Sequence, residues 1–115
     1  IYVTSPESSN AGQLIFRDNV QPMVEGKNVL ILIGSVTTGE TLSHAVNTIL
    51  YYGGIIRGVS AIFSAVDSVA GLPVYALFTQ HDIPDYRTYR VHECPLCKNK
   101  QKLDAIVNGY GYSKL

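Results

Sequence analysis

Three features of the sequence predict an α/β fold with a mostly parallel sheet. Val29 to Ile33 is a run of five apolar residues bounded by Gly26 and Gly34, a pattern typical of a strand buried on both faces. The next stretch, Glu40 to Tyr52, switches to helical period. Two further β-rich runs follow at Ile55–Ser64 and Val74–Thr79. Strand, helix, strand and strand in this order predict a right-handed βαβ unit in a three-layer domain, its sheet covered on both sides.

The elements follow in chain order. Ile1-Tyr2-Val3 is expected to be a short strand ended by Ser5-Pro6, with Glu7 to Gln13 a polar turn-rich loop. Leu14-Ile15-Phe16 reads as a second short strand or a loop hairpin. In the helix, Leu42, Ala45, Val46, Ile49 and Leu50 form one apolar stripe, and Gly53-Gly54 supply its stop. Gly58 interrupts the second core strand, and the turn Gly71-Leu72-Pro73 leads into the third. Residues 1–80 thus make a sheet-and-helix core. Residues 81–115 carry Pro84, Pro95, Tyr86, Tyr89, Tyr110 and Tyr112, with Leu103 to Val107 the one regular piece, and are expected to form an irregular flap over the sheet.

Composition narrows the function. The 115 residues carry 9 Lys+Arg against 9 Asp+Glu, a balance that argues against a general nucleic-acid binder. No apolar run approaches the roughly 20 residues needed to span a bilayer, so no membrane partner is expected. Two cysteines without a disulfide framework fit a reducing cytoplasm.

The segment richest in chemistry is Ile33-Gly34-Ser35-Val36-Thr37-Thr38-Gly39-Glu40-Thr41. The strand is expected to end at Gly34, a hydroxyl-rich loop to turn the chain, and the helix to start near Gly39. The first amides of a helix lack intrahelical acceptors and sit at the positive end of its dipole, so a phosphate is the expected guest. Ser35, Thr37, Thr38 and Thr41 add hydroxyls. The simpler alternative is that Thr37 or Thr38 caps the helix. A loop at the carboxyl end of a parallel strand is where open α/β sheets bind ligands.

Strand, then Thr37-Thr38-Gly39-x-Thr41 at a helix start, resembles the phosphoribosyl-diphosphate loop of type I phosphoribosyltransferases, orotate-type members above all. Gly26-Lys27-x-Val29, Tyr52-Gly53-Gly54, Gly58-Val59 and Cys94-Pro95-Leu96-Cys97-Lys98 extend the likeness over most of the chain. The resemblance implies that Ser35, Val36, Thr37, Thr38, Gly39, Glu40 and Thr41 hold the 5-phosphate of phosphoribosyl diphosphate or of a nucleotide. It implies a transfer that displaces pyrophosphate from the ribose with Mg²⁺ as cofactor, and a homodimer. It further implies that this chain is the C-terminal half of a longer protein, because the family's pyrophosphate loop would precede Ile1.

Two positions depart from the family pattern. Its paired acidic residues, which bind the ribose hydroxyls, are replaced by Ile33 and Gly34. An Ile side chain cannot accept those hydrogen bonds. The flexible loop that neutralises pyrophosphate in orotate-type members matches Ser5 to Val24, where Arg17 is the one cation and the candidate catalytic residue. These departures support a second reading, a non-catalytic sensor of phosphoribosyl nucleotides or a dimerisation module.

His92, Cys94 and Cys97 offer three soft ligands, and with His81 or Asp82 would complete a zinc site. The simpler reading is two reduced thiols packed under the tail. A thioredoxin-like redox role is disfavoured because it calls for Cys-x-x-Cys at a helix start after a strand, a context that Pro95 and its irregular surroundings do not supply. Asp67, Asp82, Asp85 and Asp104 read as turn and cap residues. His44 reads as a packed or half-exposed helical residue, and Tyr86-Arg87-x-Tyr89-Arg90 as a surface ladder or a dimer contact in preference to a stacking surface for a base or nucleotide.

Overall fold

A computed structural model describes residues 1–9, 13–90, 92–108 and 110–115. Its centre is a four-stranded mixed sheet of order β3-β4-β6-β5, built from β3 (Asn28–Val36), β4 (Ile55–Ser64), β5 (Ser68–Val69) and β6 (Leu72–Thr79). The pairs β3/β4 and β4/β6 are parallel, and only the short β5 runs antiparallel, against the start of β6. Between β3 and β4 runs the helix α1 (Glu40–Tyr51). The expected strand–helix–strand unit and the third parallel strand are present.

The helix packs on one face of the sheet. Leu42, Val46 and Ile49 project from α1 onto Ile31, Val59 and Ala61, and Phe16 and Val24 close the end of this core. Of the expected stripe, Leu50 points to solvent, because the apolar face in contact with the sheet is narrower than the sequence suggests. The helix stops where expected: Tyr52 is its C-cap, Gly53 takes φ 74°, and the Gly53 amide donates to Leu50 O at 3.0 Å.

Three expectations about the sheet need correction. β3 is an edge strand, not a central one, and no described helix covers its outer face. Leu30 and Leu32 are therefore 61% and 73% exposed, and the described fold has two layers, not three. The apolar run marked burial potential, whereas strand order is set by distant segments. Finally, β3 continues past Gly34 to Val36, whose carbonyl accepts from Ala65 N at 2.8 Å, so pairing with β4 draws Ser35 and Val36 into the ladder.

Gly58 marks an irregularity more specific than an interruption. Val29 pairs with Ile56 but Leu30 pairs with Gly58, so Arg57 is an extra residue in β4, and its Nε donates to Asn28 Oδ1 at 2.8 Å. The expected turn at residues 71–73 sits one position earlier: Ala70 and Gly71, with φ of 52° and 77°, join β5 to β6.

Ile1-Tyr2-Val3 is not a strand; it is exposed and irregular, since no described strand pairs with it. Glu7–Ser8 (β1) and Leu14–Ile15 (β2) form a small antiparallel hairpin, so the polar loop is partly strand. Positions 10 to 12 of that loop lie outside the described residues. The hairpin docks on α1, Thr48 Oγ1 donating to Leu14 O at 3.4 Å, and Phe16 meets Tyr52 edge-on at 5.5 Å.

The C-terminal segment is more regular and less attached than expected. A helical turn α2 (Pro95–Lys98) precedes a hairpin of β7 (Ala105–Asn108) and β8 (Gly111–Lys114), and β7 alone overlaps the expected regular piece. Tyr86 packs on Phe63 at 4.8 Å, but most residues after it are exposed. The radius of gyration is 16.5 Å. A compact chain of this length would have about 13 Å, so the segment extends outward instead of lying flat on the sheet.

Candidate functional site

The β3–α1 loop lies at the carboxyl ends of the parallel strands β3 and β4. Its conformation is fixed from both sides. Val36 is 2% exposed and anchors the strand end in the core. Gly39 is the N-cap of α1 with φ 83°, a left-handed conformation that costs an L side chain about 1–2 kcal/mol. A Cβ there would also meet Val69 Cγ2 at 2.6 Å, so the β5–β6 hairpin supports the loop from behind. Sequence reading missed Val69, for its position is a long-range consequence of the sheet.

Gly39 has no side chain with which to cap the helix, and the cap shows no side-chain hydrogen bond. The expectation that Thr37 or Thr38 is the cap is therefore corrected; Thr38 Oγ1 accepts only a long contact of 3.5 Å from the Glu40 amide. Ser43 N is already bonded to Gly39 O at 2.8 Å and the Glu40 amide makes the long contact to Thr38, which leaves the amides of Thr41 and Leu42 as the donors of the first turn. Ser35, Thr37, Thr38, Glu40 and Thr41 are exposed. Backbone donors, hydroxyls and the helix dipole all favour an anion here. The Glu40 carboxylate, in the first turn, opposes one.

The two departures from the family pattern have different surroundings. Ile33 is partly buried and packs against the core below α1. Gly34 is exposed, and a Cβ built on it would have nothing within 4 Å. A carboxylate would fit at 34 and would be desolvated at 33. Residues 33–41 supply hydroxyls and the single carboxylate of Glu40, a set that does not fit a protein-held magnesium ion.

Arg17 follows β2 and pairs with Glu7 across the hairpin, Nε to Oε1 at 2.7 Å and Nη2 to Oε2 at 2.9 Å. The bidentate hydrogen bond holds the Glu7 carboxyl below its ordinary range and the guanidinium above its own. The sequence held no local sign of this partner ten residues away. Two open surface grooves, of about 700 and 600 Å³, flank the outer side of α1 at His44, Tyr51 and Tyr52, and at Gln21 and Glu25; no residue of 33–41 lines either. An anion site here is a surface cradle of amides and hydroxyls, not a cavity.

His92, Cys94 and Cys97 are not gathered into a metal centre: among the described residues no three His, Cys, Asp or Glu side chains are placed to hold an ion. His92 contacts Glu93 at 3.4 Å. Asp82 accepts from Thr79 N and Oγ1 at 2.7 and 3.1 Å, and the Thr79 amide holds its carboxyl below the ordinary value, so it is a turn residue as expected. The thiols are not packed under the tail, as Cys94 is half-buried and Cys97 exposed. Pro95 begins α2, because its missing N–H and fixed φ suit a first helical position, so the helix start is present, while the described residues just before it, 86–90 and 92–93, form no strand.

No helix is long and apolar enough to cross a membrane among the described residues. No protein-family profile matches the chain. It is similar to a curated orotate phosphoribosyltransferase of Thermoanaerobacter sp. (strain X514), with 32% identity over 79 residues, covering 64% of this chain. The chain spans 38% of the length of that relative. Together with an α/β architecture containing parallel strands, this places the chain in a distant relationship to phosphoribosyltransferases.

Proposed function

We propose that this chain is a phosphoribosyltransferase-like domain of nucleotide metabolism whose β3–α1 loop, residues 35–41, binds the 5-phosphate of phosphoribosyl diphosphate or of a nucleotide. The observation that carries this reading is the helix start at Gly39, left-handed and with no capping side chain of its own, at the carboxyl end of parallel strands. Similarity to an orotate phosphoribosyltransferase supports transfer to a pyrimidine-like base in the complete protein. A homodimer, and Mg²⁺ carried in by the diphosphate, complete the proposal.

A second reading, that the domain senses phosphoribosyl nucleotides without catalysis, draws on Ile33 and Gly34. With no carboxylate at either position, the ribose hydroxyls lose the acceptors that would orient the sugar. Arg17, the candidate for the departing pyrophosphate, is already neutralised by Glu7.

Titration of the chain with inorganic phosphate, ribose 5-phosphate and phosphoribosyl diphosphate, with and without Mg²⁺, followed by amide NMR, tests both. Shifts at the amides of residues 37–41 with the phosphorylated sugars are expected; their absence sinks the phosphate reading. Pyrophosphate release from phosphoribosyl diphosphate and orotate by the complete protein selects transfer. Binding without release selects sensing.

A further inference from the structure

Cys94 and Cys97 are absorbed by no part of the reading above, and their geometry is that of a reactive pair. Cys94 is the N-cap of α2 in an extended conformation, φ −63° and ψ 114°, and Pro95 starts the turn. The turn is closed by Lys98 N to Cys94 O at 3.1 Å and by Asn99 N to Pro95 O at 3.0 Å. Cys97 N donates to Cys94 Sγ at 3.5 Å, which holds that sulfur over the first turn beside the Cys97 side chain. Residues three apart on a helical turn have Cβ atoms about 5–6 Å apart. A disulfide needs about 4 Å, a small local rotation away.

We propose that Cys94 and Cys97 form a reversible dithiol that exchanges with low-molecular-weight disulfides. Cys94, as thiolate, attacks one sulfur of the disulfide; a new S–S bond forms, the old one breaks, and one thiolate leaves. The Cys97 thiol then gives its proton to solvent and attacks the Cys94 sulfur of the mixed disulfide, releasing the second thiolate. The protein dithiol is oxidised by two electrons and the small disulfide is reduced to two thiols.

The division of roles follows from the surroundings. The Cys97 amide, donating to the Cys94 sulfur, holds the Cys94 thiol below its usual value, with Lys98 adding to the effect. The hydrogen bond to Cys94 and the Cys94 charge push Cys97 up. Attacker and resolving thiol are thus distinct. Closing so short a loop removes little chain entropy, so the bond would change chemical state without serving as a staple.

The test is to incubate the reduced chain with oxidised glutathione and measure intact mass, followed by peptide mapping. Loss of two hydrogens within the peptide containing residues 94–97, with no glutathione retained and full reversal by dithiothreitol, is the expected result. Cys97→Ser should accumulate a glutathione adduct at Cys94, and Cys94→Ser should react about tenfold more slowly. Both substitutions lie outside the core, so circular dichroism should be unchanged. No exchange in the wild type, lasting adducts on both cysteines, disulfide-linked dimers as the main product, or stoichiometric zinc that blocks exchange would each overturn the proposal.

Discussion

The two faces of the central sheet both carry large apolar side chains and have opposite surroundings. Under α1, Ile31, Val59 and Ala61 are buried; on the other side Leu30, Leu32, Ile62, Tyr75 and Leu77 face solvent, with Leu32, Ser60 and Tyr75 side by side in register. The difference teaches that hydrophobicity along a strand records that a face can be buried, and only the rest of the fold decides whether it is. A patch of this kind is uncommon on a soluble domain standing alone.

Substitutions can break or sharpen that contrast. The largest effect is expected at Leu42, 1% exposed: Leu42→Ala should cost about 3–5 kcal/mol in urea unfolding, while Leu32→Ser on the open face should change stability by less than about 0.5 kcal/mol. Equal losses at both sites would show that the open face is covered in solution. Next come the two positions at the end of the strand. Ile33→Asp should destabilise by about 1–3 kcal/mol, because a carboxylate would be placed against the core, whereas Gly34→Asp should be nearly neutral. Gly34→Asp should also tighten ribose 5-phosphate binding if the sugar lies over that face; an unchanged affinity would separate the ribose from position 34.

Gly39→Ala is expected to cost about 1–2 kcal/mol from its left-handed backbone, and the clash with Val69 should shift the loop as well. Loss of the phosphate-induced NMR shifts at residues 37–41 together with that destabilisation would tie the anion to this geometry. The smallest effect is electrostatic. The Glu7 carboxyl has a lowered value in the folded state, so the stability from its pair with Arg17 is full above the ordinary value of 4.5 and is lost as pH falls through the lowered one. An acid titration by NMR should therefore release Arg17 Nε–H protection before the core unfolds, and loosening at neutral pH would contradict it.

Much of the core was legible because it rests on periodicity. The stripe Leu42–Val46–Ile49 and the β-rich runs at 55–64 and 74–79 declare their conformation locally, and Gly53 declares the stop. What was not legible depends on partners. Ile1-Tyr2-Val3 has strand-like residues but pairs with no strand among the described residues, and β3 reads as central but lies at an edge of the described sheet. In the site, the helix start at Gly39 followed from sequence, while the support of Val69 and the Glu7–Arg17 pair required the fold. The turn at Pro95 was hidden by its irregular surroundings, since a proline marks a helix start only when the residues after it form one.

The extra residue at Arg57 bears on more than local twist. Ile56 packs toward the core before it, and Val59 and Ala61 do so after it, so the alternation of β4 changes phase across the bulge. The strand is in effect written in two reading frames, and Arg57 is the character that joins them. Losing or gaining one residue there would exchange the inside and outside of everything on one side of the joint. Length in this stretch should accordingly be far less tolerant of change than the identity of any residue in it.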